Sequence, residues 1–210
     1  MEDAFAQLHA RPDACNGFSM AGMTDRLIAR LGLEAIGVAV DDGSIQAILK
    51  TYLQALGPGL QASDAVRALP GAQRILQHLQ QIQGLALGLG TGNLQDGAML
   101  KLARVGLAAP FTFGGYGSDS EDRRDLVRIG AIRGAERLGH ALEQTHVYVV
   151  GDTPRDMQAA HSLRRHAAAV FAIGVATGPY PIEVLQQAGA DQVLADLTDL
   201  AWCAGWLAGA

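Results

Sequence analysis

"VYVVGDTPRDMQAA", residues 147–160, runs from an apolar segment through Gly151 into a helical pattern, with Asp152 and Asp156 four positions apart. An apolar run closed by glycine and followed by Thr153-Pro154 predicts a buried strand, a short turn and a helix with proline as its first residue. Asp156 stands three residues after Thr153, the spacing of a capping box, in which both side chains satisfy open helix N–H groups. Capping and metal ligation are therefore both open for Asp156. Asp152 precedes the cap and is not needed for it, which points to function there.

The same strand-then-helix unit recurs on both sides of this stretch. Apolar runs at 84–90, 110–115, 146–150, 168–175 and 191–194 read as strands, and helical segments at 94–105, 122–139, 154–163, 181–188 and 197–206 follow them. Near-continuous apolar strands alternating with helices predict an α/β fold, a parallel sheet covered on both faces. Before residue 80 the apolar spacing is helical at 2–9, 23–32, 43–56, 62–68 and 70–82, the last opened by Pro70. "AIGVAV" at 35–40 is too short to establish a strand. The expected organisation is a small α-helical domain over 1–80 and an α/β domain over 81–210, without repeats or low-complexity tracts.

Bulk properties narrow the function classes. A chain of 210 residues, 49% hydrophobic, can bury one full core and a satellite. Its net charge of −5 argues against a nucleic-acid surface or an anionic membrane surface, both of which require basic patches. No apolar run approaches the roughly 20 residues of a membrane span. The opening "MEDAFAQLHA" is acidic and amphipathic, unlike a secretory signal. Cys15 and Cys203 fit no metal or redox spacing, and His161 and His166, five apart, do not share a helical face. Idle thiols predict a reducing, cytoplasmic location.

Ligands of parallel α/β sheets bind beyond the carboxyl ends of the strands. Three loops there carry polar groups: Thr91-Gly92-Asn93, the stretch "GYGSDSEDRRD" with Arg123 and Arg124, and Gly151 to Asp156. Right-handed crossovers would bring all three to one edge. A hydroxyl, a guanidinium and two carboxylates together suit a phosphate with Mg²⁺, a hard cation that takes oxygen ligands. Each element also has a plain structural role. Thr91-Gly92 serves as a turn, and Arg123 and Arg124 belong to a charged, solvated stretch. It is their convergence that favours a site.

In order, "GLALGLGTGN" (84–93), "GSDSEDRRDL" (117–126), "VYVVGDTPRDM" (147–157) and "VATGPYPIEVLQQAGADQVLADLTDL" (175–200) resemble the haloacid dehalogenase (HAD) superfamily, and within it phosphoglycolate-phosphatase-like hydrolases. The resemblance spans about residues 17–200 and is strongest from 84 onward. It implies a Rossmann-like core with a helical cap, and Mg²⁺-dependent hydrolysis of a small phosphorylated metabolite through an aspartyl-phosphate. Thr91 would match the second-motif hydroxyl, assisted by Gly92 and Asn93. Arg123 would take the cationic third-motif role, with Arg124 as runner-up, and Asp152 and Asp156 would position the metal. "GFSMAGMTD" (17–25) resembles the cap segment that faces substrate, making Thr24 and Asp25 specificity candidates.

One departure stands out. The family's first motif, DxDG[TV], whose first aspartate attacks phosphorus, does not occur. In "VAVDDGSIQA" (38–47) Val40 falls at the nucleophile position, so Asp41 and Asp42 are expected to serve a loop and helix cap. The first strand of the family is central, between the strands expected at 84–90 and 146–150, so the core is expected to lack its first central strand and to expose unpaired edges. A misplaced start is favoured over a genuine short form, because the second- to fourth-motif residues remain. The alternative is a non-catalytic module that binds phosphate or protein, with a homodimer covering the edges. A dinucleotide fold is disfavoured, because "GLGTGN" (88–93) carries Asn93 where the third fingerprint glycine belongs.

Overall fold

The computed structural model describes residues 1–62 and 66–198. Four helices come first: α1 (Glu2–His9), α2 (Asp25–Ala35), α3 (Asp42–Ala62) and α4 (Ala72–Leu79). The α/β alternation follows: β1 (Leu89–Thr91), α5 (Gln95–Arg104), β2 (Gly114–Tyr116), α6 (Arg123–Arg137), β3 (His146–Gly151), α7 (Pro154–Leu163), β4 (Ala169–Val175), α8 (Ile182–Gln187) and β5 (Gln192–Leu194). A single 3-10 turn, Leu142–Gln144, leads into β3. No helix among the described residues is long and apolar enough to cross a membrane.

Every strand pairing is parallel, as the continuous apolar runs required. The strands form two sheets, β1-β2 and β3-β4-β5, rather than one. Among the described residues no strand pairs with the outer edge of β1 or with that of β3. One helical layer bridges the two sheets: α6 packs on β1 and β2, α7 packs on β3 and β4, and the two helices pack on each other. The Arg123 guanidinium, at the start of α6, reaches both the Gly90 carbonyl of β1 and Asp156 at the start of α7. The strand tips therefore sit side by side with their ladders unjoined, which is the arrangement expected of a core without its first strand. Val150 on β3 is 54% exposed, as an apolar residue of an uncovered strand would be.

Two apolar clusters hold the molecule. The first joins Phe5, Ile28, Leu33, Ile45, Ile48 and Leu49 from α1–α3 and also takes in Leu94, at the head of α5. Cys15 is buried within it, and burial raises its thiol pKa. The second joins Leu126, Met157, Leu163 and Ala172 from α6, α7 and β4. At β2 the close approach is backbone on backbone. A methyl group at Gly115 would lie 1.7 Å from the Leu126 carbonyl oxygen of α6. Gly115→Ala is therefore expected to destabilise the protein by at least about 3 kcal/mol, at the upper end of overpacking effects. An unchanged urea midpoint in this variant would show that α6 does not seat on β2.

Several expectations are corrected. The strands at 84–90 and 110–115 shrink to Leu89–Thr91 and Gly114–Tyr116, because each finds a ladder on one side only. In the expected helix over 62–68, α3 instead runs on to Ala62, and 66–69 are irregular ahead of Pro70, which disfavours helix in the residue before it. Gly71 rather than Pro70 caps α4. Of the helix expected over 197–206, residues 197–198 are irregular and the rest lie outside the described residues, as does Cys203. The reading of "VAVDDG" holds: the Asp41 carboxylate accepts the Ser44 amide at 2.8 Å at the head of α3, and Asp42 pairs with Arg26.

Candidate active site at the strand tips

The loop after β3 is built by the capping box. Thr153 Oγ1 accepts the Asp156 amide at 3.3 Å, and Asp156 Oδ2 accepts the Thr153 amide at 3.1 Å and the Thr153 hydroxyl at 2.8 Å. The second carboxylate oxygen, Oδ1, takes Arg123 Nε at 2.7 Å. Asp156 is buried and both its oxygens are occupied, so of its two candidate roles the structure realises capping, reinforced by an ion pair. Gly151 permits this closeness, since a methyl group there would lie 2.4 Å from the Asp156 carboxyl carbon.

Asp152 differs. It is half-buried and accepts no side-chain hydrogen bond from another described residue, while its carboxylate lies against Gly178 of the loop after β4. Burial raises its pKa above the ordinary aspartate value, the charge of Asp156 adds to this, and Arg123 opposes it. A raised folded-state pKa means that the ionised form is less stable in the folded than in the unfolded chain. The penalty is present above the folded pKa and vanishes as pH falls below the unfolded value near 3.8. Asp152→Asn is therefore expected to raise Tm at pH 7, on the order of 2 °C because the group is only half-buried, and to change nothing near pH 3. A fall in Tm at pH 7 would refute this reading.

The turn after β1 is fastened to α2. The Asp25 amide donates to the Gly92 carbonyl at 2.7 Å, and a methyl group at Gly92 would lie 2.3 Å from the Met23 carbonyl oxygen. Asp25 is buried; its carboxylate accepts the Leu94 amide at 2.8 Å and Asn93 Nδ2 at 3.2 Å. Asn93 Oδ1 in turn accepts Lys101 Nζ at 3.1 Å. Thr24 caps α2 by accepting the Leu27 amide at 3.2 Å and donates to the Glu121 carbonyl at 3.2 Å. Thr24, Asp25 and Asn93 thus stand beside the strand tips, but their polar atoms bind the protein itself. Lys101 carries no signal in the sequence. It lies about two turns along α5 from Asn93, burial lowers its pKa, and no local motif marks it.

Thr91 Oγ1 accepts the Asn93 amide at 3.1 Å, which leaves its hydroxyl proton to donate elsewhere. Arg123 spans the gap between sheets through Gly90 at 3.3 Å and Asp156. Arg124 instead folds onto Asp122 at the surface, with Nε at 3.0 Å, so of the two arginines Arg123 faces the strand tips. The Thr91 turn, Arg123 and Asp152 therefore share one rim. Among the described residues no group of three or more His, Cys, Asp or Glu side chains is placed to hold a metal. The donor available to a cation is Asp152, and Mg²⁺ requires only one or two protein carboxylates when phosphate and water complete its shell.

Solved structures of the same architecture are known. A hydrolase from Pseudomonas syringae is 22% identical, with a TM-score of 0.63 over 98% of this chain and 93% of that one. A protein described as a predicted phosphoglycolate phosphatase from Haemophilus somnus is 16% identical, with a TM-score of 0.66 over 96% of this chain and 87% of that one. At these identities the likeness establishes the fold. No curated protein matches. A family model, however, matches residues 21–164, about two thirds of the chain and across all three loops at the strand tips, and the chain belongs to the haloacid dehalogenase-like hydrolases.

Proposed function

We propose that this is the capped core of a Mg²⁺-dependent phosphatase acting on a small phosphomonoester of the phosphoglycolate type, with residues 1–80 as the helical cap. The observation that supports the reading is Arg123, which joins the Gly90 carbonyl of β1, next to Thr91, to Asp156 at the head of α7, four residues after Asp152. The name carried by the Haemophilus somnus structure agrees with this substrate class.

In this reading the phosphoryl group lies over the strand tips. The Thr91 hydroxyl donates to one of its oxygens, and Arg123 balances charge that builds on the others. A bound Mg²⁺ would neutralise phosphate charge next to Asp152. Thr24 and Asp25 act here by positioning: Asp25 holds the turn after Thr91 against α2, and Thr24 ties α2 to the loop before α6. The attacking carboxylate belongs on a strand between β1 and β3, and the DxDG[TV] pattern it requires is absent from the sequence.

The chain is thus expected to bind inorganic phosphate and to release none from p-nitrophenyl phosphate with Mg²⁺. Phosphate should shift the amide resonances of Thr91, Gly92 and Asp152, and Mg²⁺ should shift Asp152 without Asp156. Turnover that disappears in Asp152→Asn would show that another residue of this chain attacks phosphorus. The edges of β1 and β3 that face each other and pair with no strand among the described residues favour a second reading, a non-catalytic phosphate-binding module whose edges are covered by a second copy. It predicts a dimer in sedimentation whose phosphate affinity is independent of Mg²⁺.

A further inference from the structure

An open groove of about 940 Å³ leads away from the strand tips along the outer face of α7. Arg123 and Thr24 line its near end, so it opens from the rim already described. Arg155, Gln158 and Ser162 recur along one wall at three- and four-residue intervals, the spacing of a single helical face, and Arg165 follows in the turn just past the end of α7. The opposite wall is Leu27 and Arg30 of α2 with the loop that precedes α6.

The charge in this groove is unbalanced. Its two carboxylates are already neutralised: Glu121 pairs with Arg26 at 3.2 Å and Arg30 at 3.0 Å, and Asp122 pairs with Arg124. Arg123 is balanced by Asp156. Arg155 and Arg165 face no carboxylate among the described residues, and His166 stands beside Arg165, exposed. Arg155 is oriented by the Ala21 carbonyl at 3.4 Å, with its stem against Gly22. His161 is engaged with the Gly189 carbonyl at 2.8 Å and serves the wall. A chain of net charge −5 thus presents two unpaired guanidiniums in one groove. Arg155 stands in the first turn of α7 and Arg165 two residues past its end at Leu163, so eight helical steps, about 12 Å at 1.5 Å per residue, and a turn separate them.

From this placement we infer that the groove holds the far end of the substrate, and that the substrate carries a second anionic group, phosphate or carboxylate, on a leaving group long enough to reach along α7. The inference rests on the phosphatase reading and revises its substrate class, because a two-carbon leaving group of the phosphoglycolate type is too short to reach Arg165 along α7. A guanidinium fork binds either oxyanion with paired hydrogen bonds. Arg155 would meet the middle of such a molecule and Arg165 its remote end, while Arg123 keeps the phosphoryl group at the rim.

The test compares three probes on the full chain by calorimetry: inorganic phosphate, hexyl phosphate and hexane-1,6-diol bisphosphate, each at two salt concentrations. The bisphosphate is expected to bind about tenfold more tightly than hexyl phosphate. The preference should shrink to within about twofold in Arg165→Gln, an exposed position where folding is not at issue, and should weaken in Arg155→Gln. Equal affinity for the two esters, or a preference unchanged in Arg165→Gln, would overturn the inference. Failure of the phosphatase reading looks different: inorganic phosphate and hexyl phosphate would not bind, or would bind without regard to Arg123→Gln, whatever the bisphosphate does. Replacing one phosphate of the bisphosphate by carboxylate identifies which oxyanion the remote end prefers.

Discussion

Extending the chain at its N-terminus with an apolar strand that ends in Asp-x-Asp-Gly-Thr is expected to raise phosphate release from p-nitrophenyl phosphate by about 10⁴-fold or more, the scale of gaining a nucleophile. Both neighbours for such a strand are present: β1 and β3 each have one unpaired edge, and α6 and α7 already form a continuous layer over the space between them. Parallel pairing on both sides would deliver the first aspartate to the rim where Thr91, Arg123 and Asp152 meet. The strand carrying Asn in place of its first aspartate separates structure from chemistry. It should raise Tm by covering two edges and the exposed Val150, yet leave turnover at background. Equal activity with and without the strand would remove the aspartyl-phosphate route.

Arg123→Ala is expected to destabilise the fold by about 3 kcal/mol, lowering Tm by roughly 9 °C. The size follows from what is left behind. Asp156 is buried, and without the guanidinium one of its oxygens keeps only solvent, which scarcely reaches it. The cross-link from Gly90 to Asp156, which ties one sheet to the other, is lost as well. The Asp156→Asn exchange in the Arg123→Ala background should recover part of the loss, since a neutral amide is less costly to bury alone. Arg124→Ala, by contrast, removes an exposed pair with Asp122 and should change Tm by no more than about 2 °C. Similar effects for the two arginines would mean that Arg123 does not bridge the sheets.

The contrast between these two arginines shows where local sequence information stops. Adjacent in "EDRRD", they offer the same chemistry to the same loop. Only the packing of α6 against β1 and α7 turns Arg123 toward Gly90 and Asp156 and leaves Arg124 at the surface on Asp122. Asp152 and Asp156 are a similar case. The spacing of Thr153, Pro154 and Asp156 foretells a capping box, and the box forms, but the ion pair that occupies the other oxygen of Asp156 comes from a residue 33 positions away. Thr24 and Asp25 lie beside the turn after β1. Their partners, Glu121 and Leu94, are brought in by packing between the helical portion and the sheet, so their role in fastening was not legible from the segment that contains them.

Periodicity, glycine placement and caps determined the strand–helix alternation, the parallel pairing and the rim on which polar loops gather. Each depends on residues within a few positions of one another, where backbone geometry rather than packing sets the outcome. Tertiary structure decided which polar atoms at that rim find no partner among the described residues: Asp152 and the Thr91 hydroxyl proton do not, whereas Asp156, Asn93, Thr24 and Asp25 are occupied. It also decided that the strands divide into two sheets and that two unpaired arginines line one groove. The reason is physical. Hydrogen bonds and ion pairs between distant segments are chosen by how helices and strands stack, and stacking is a property of the whole chain.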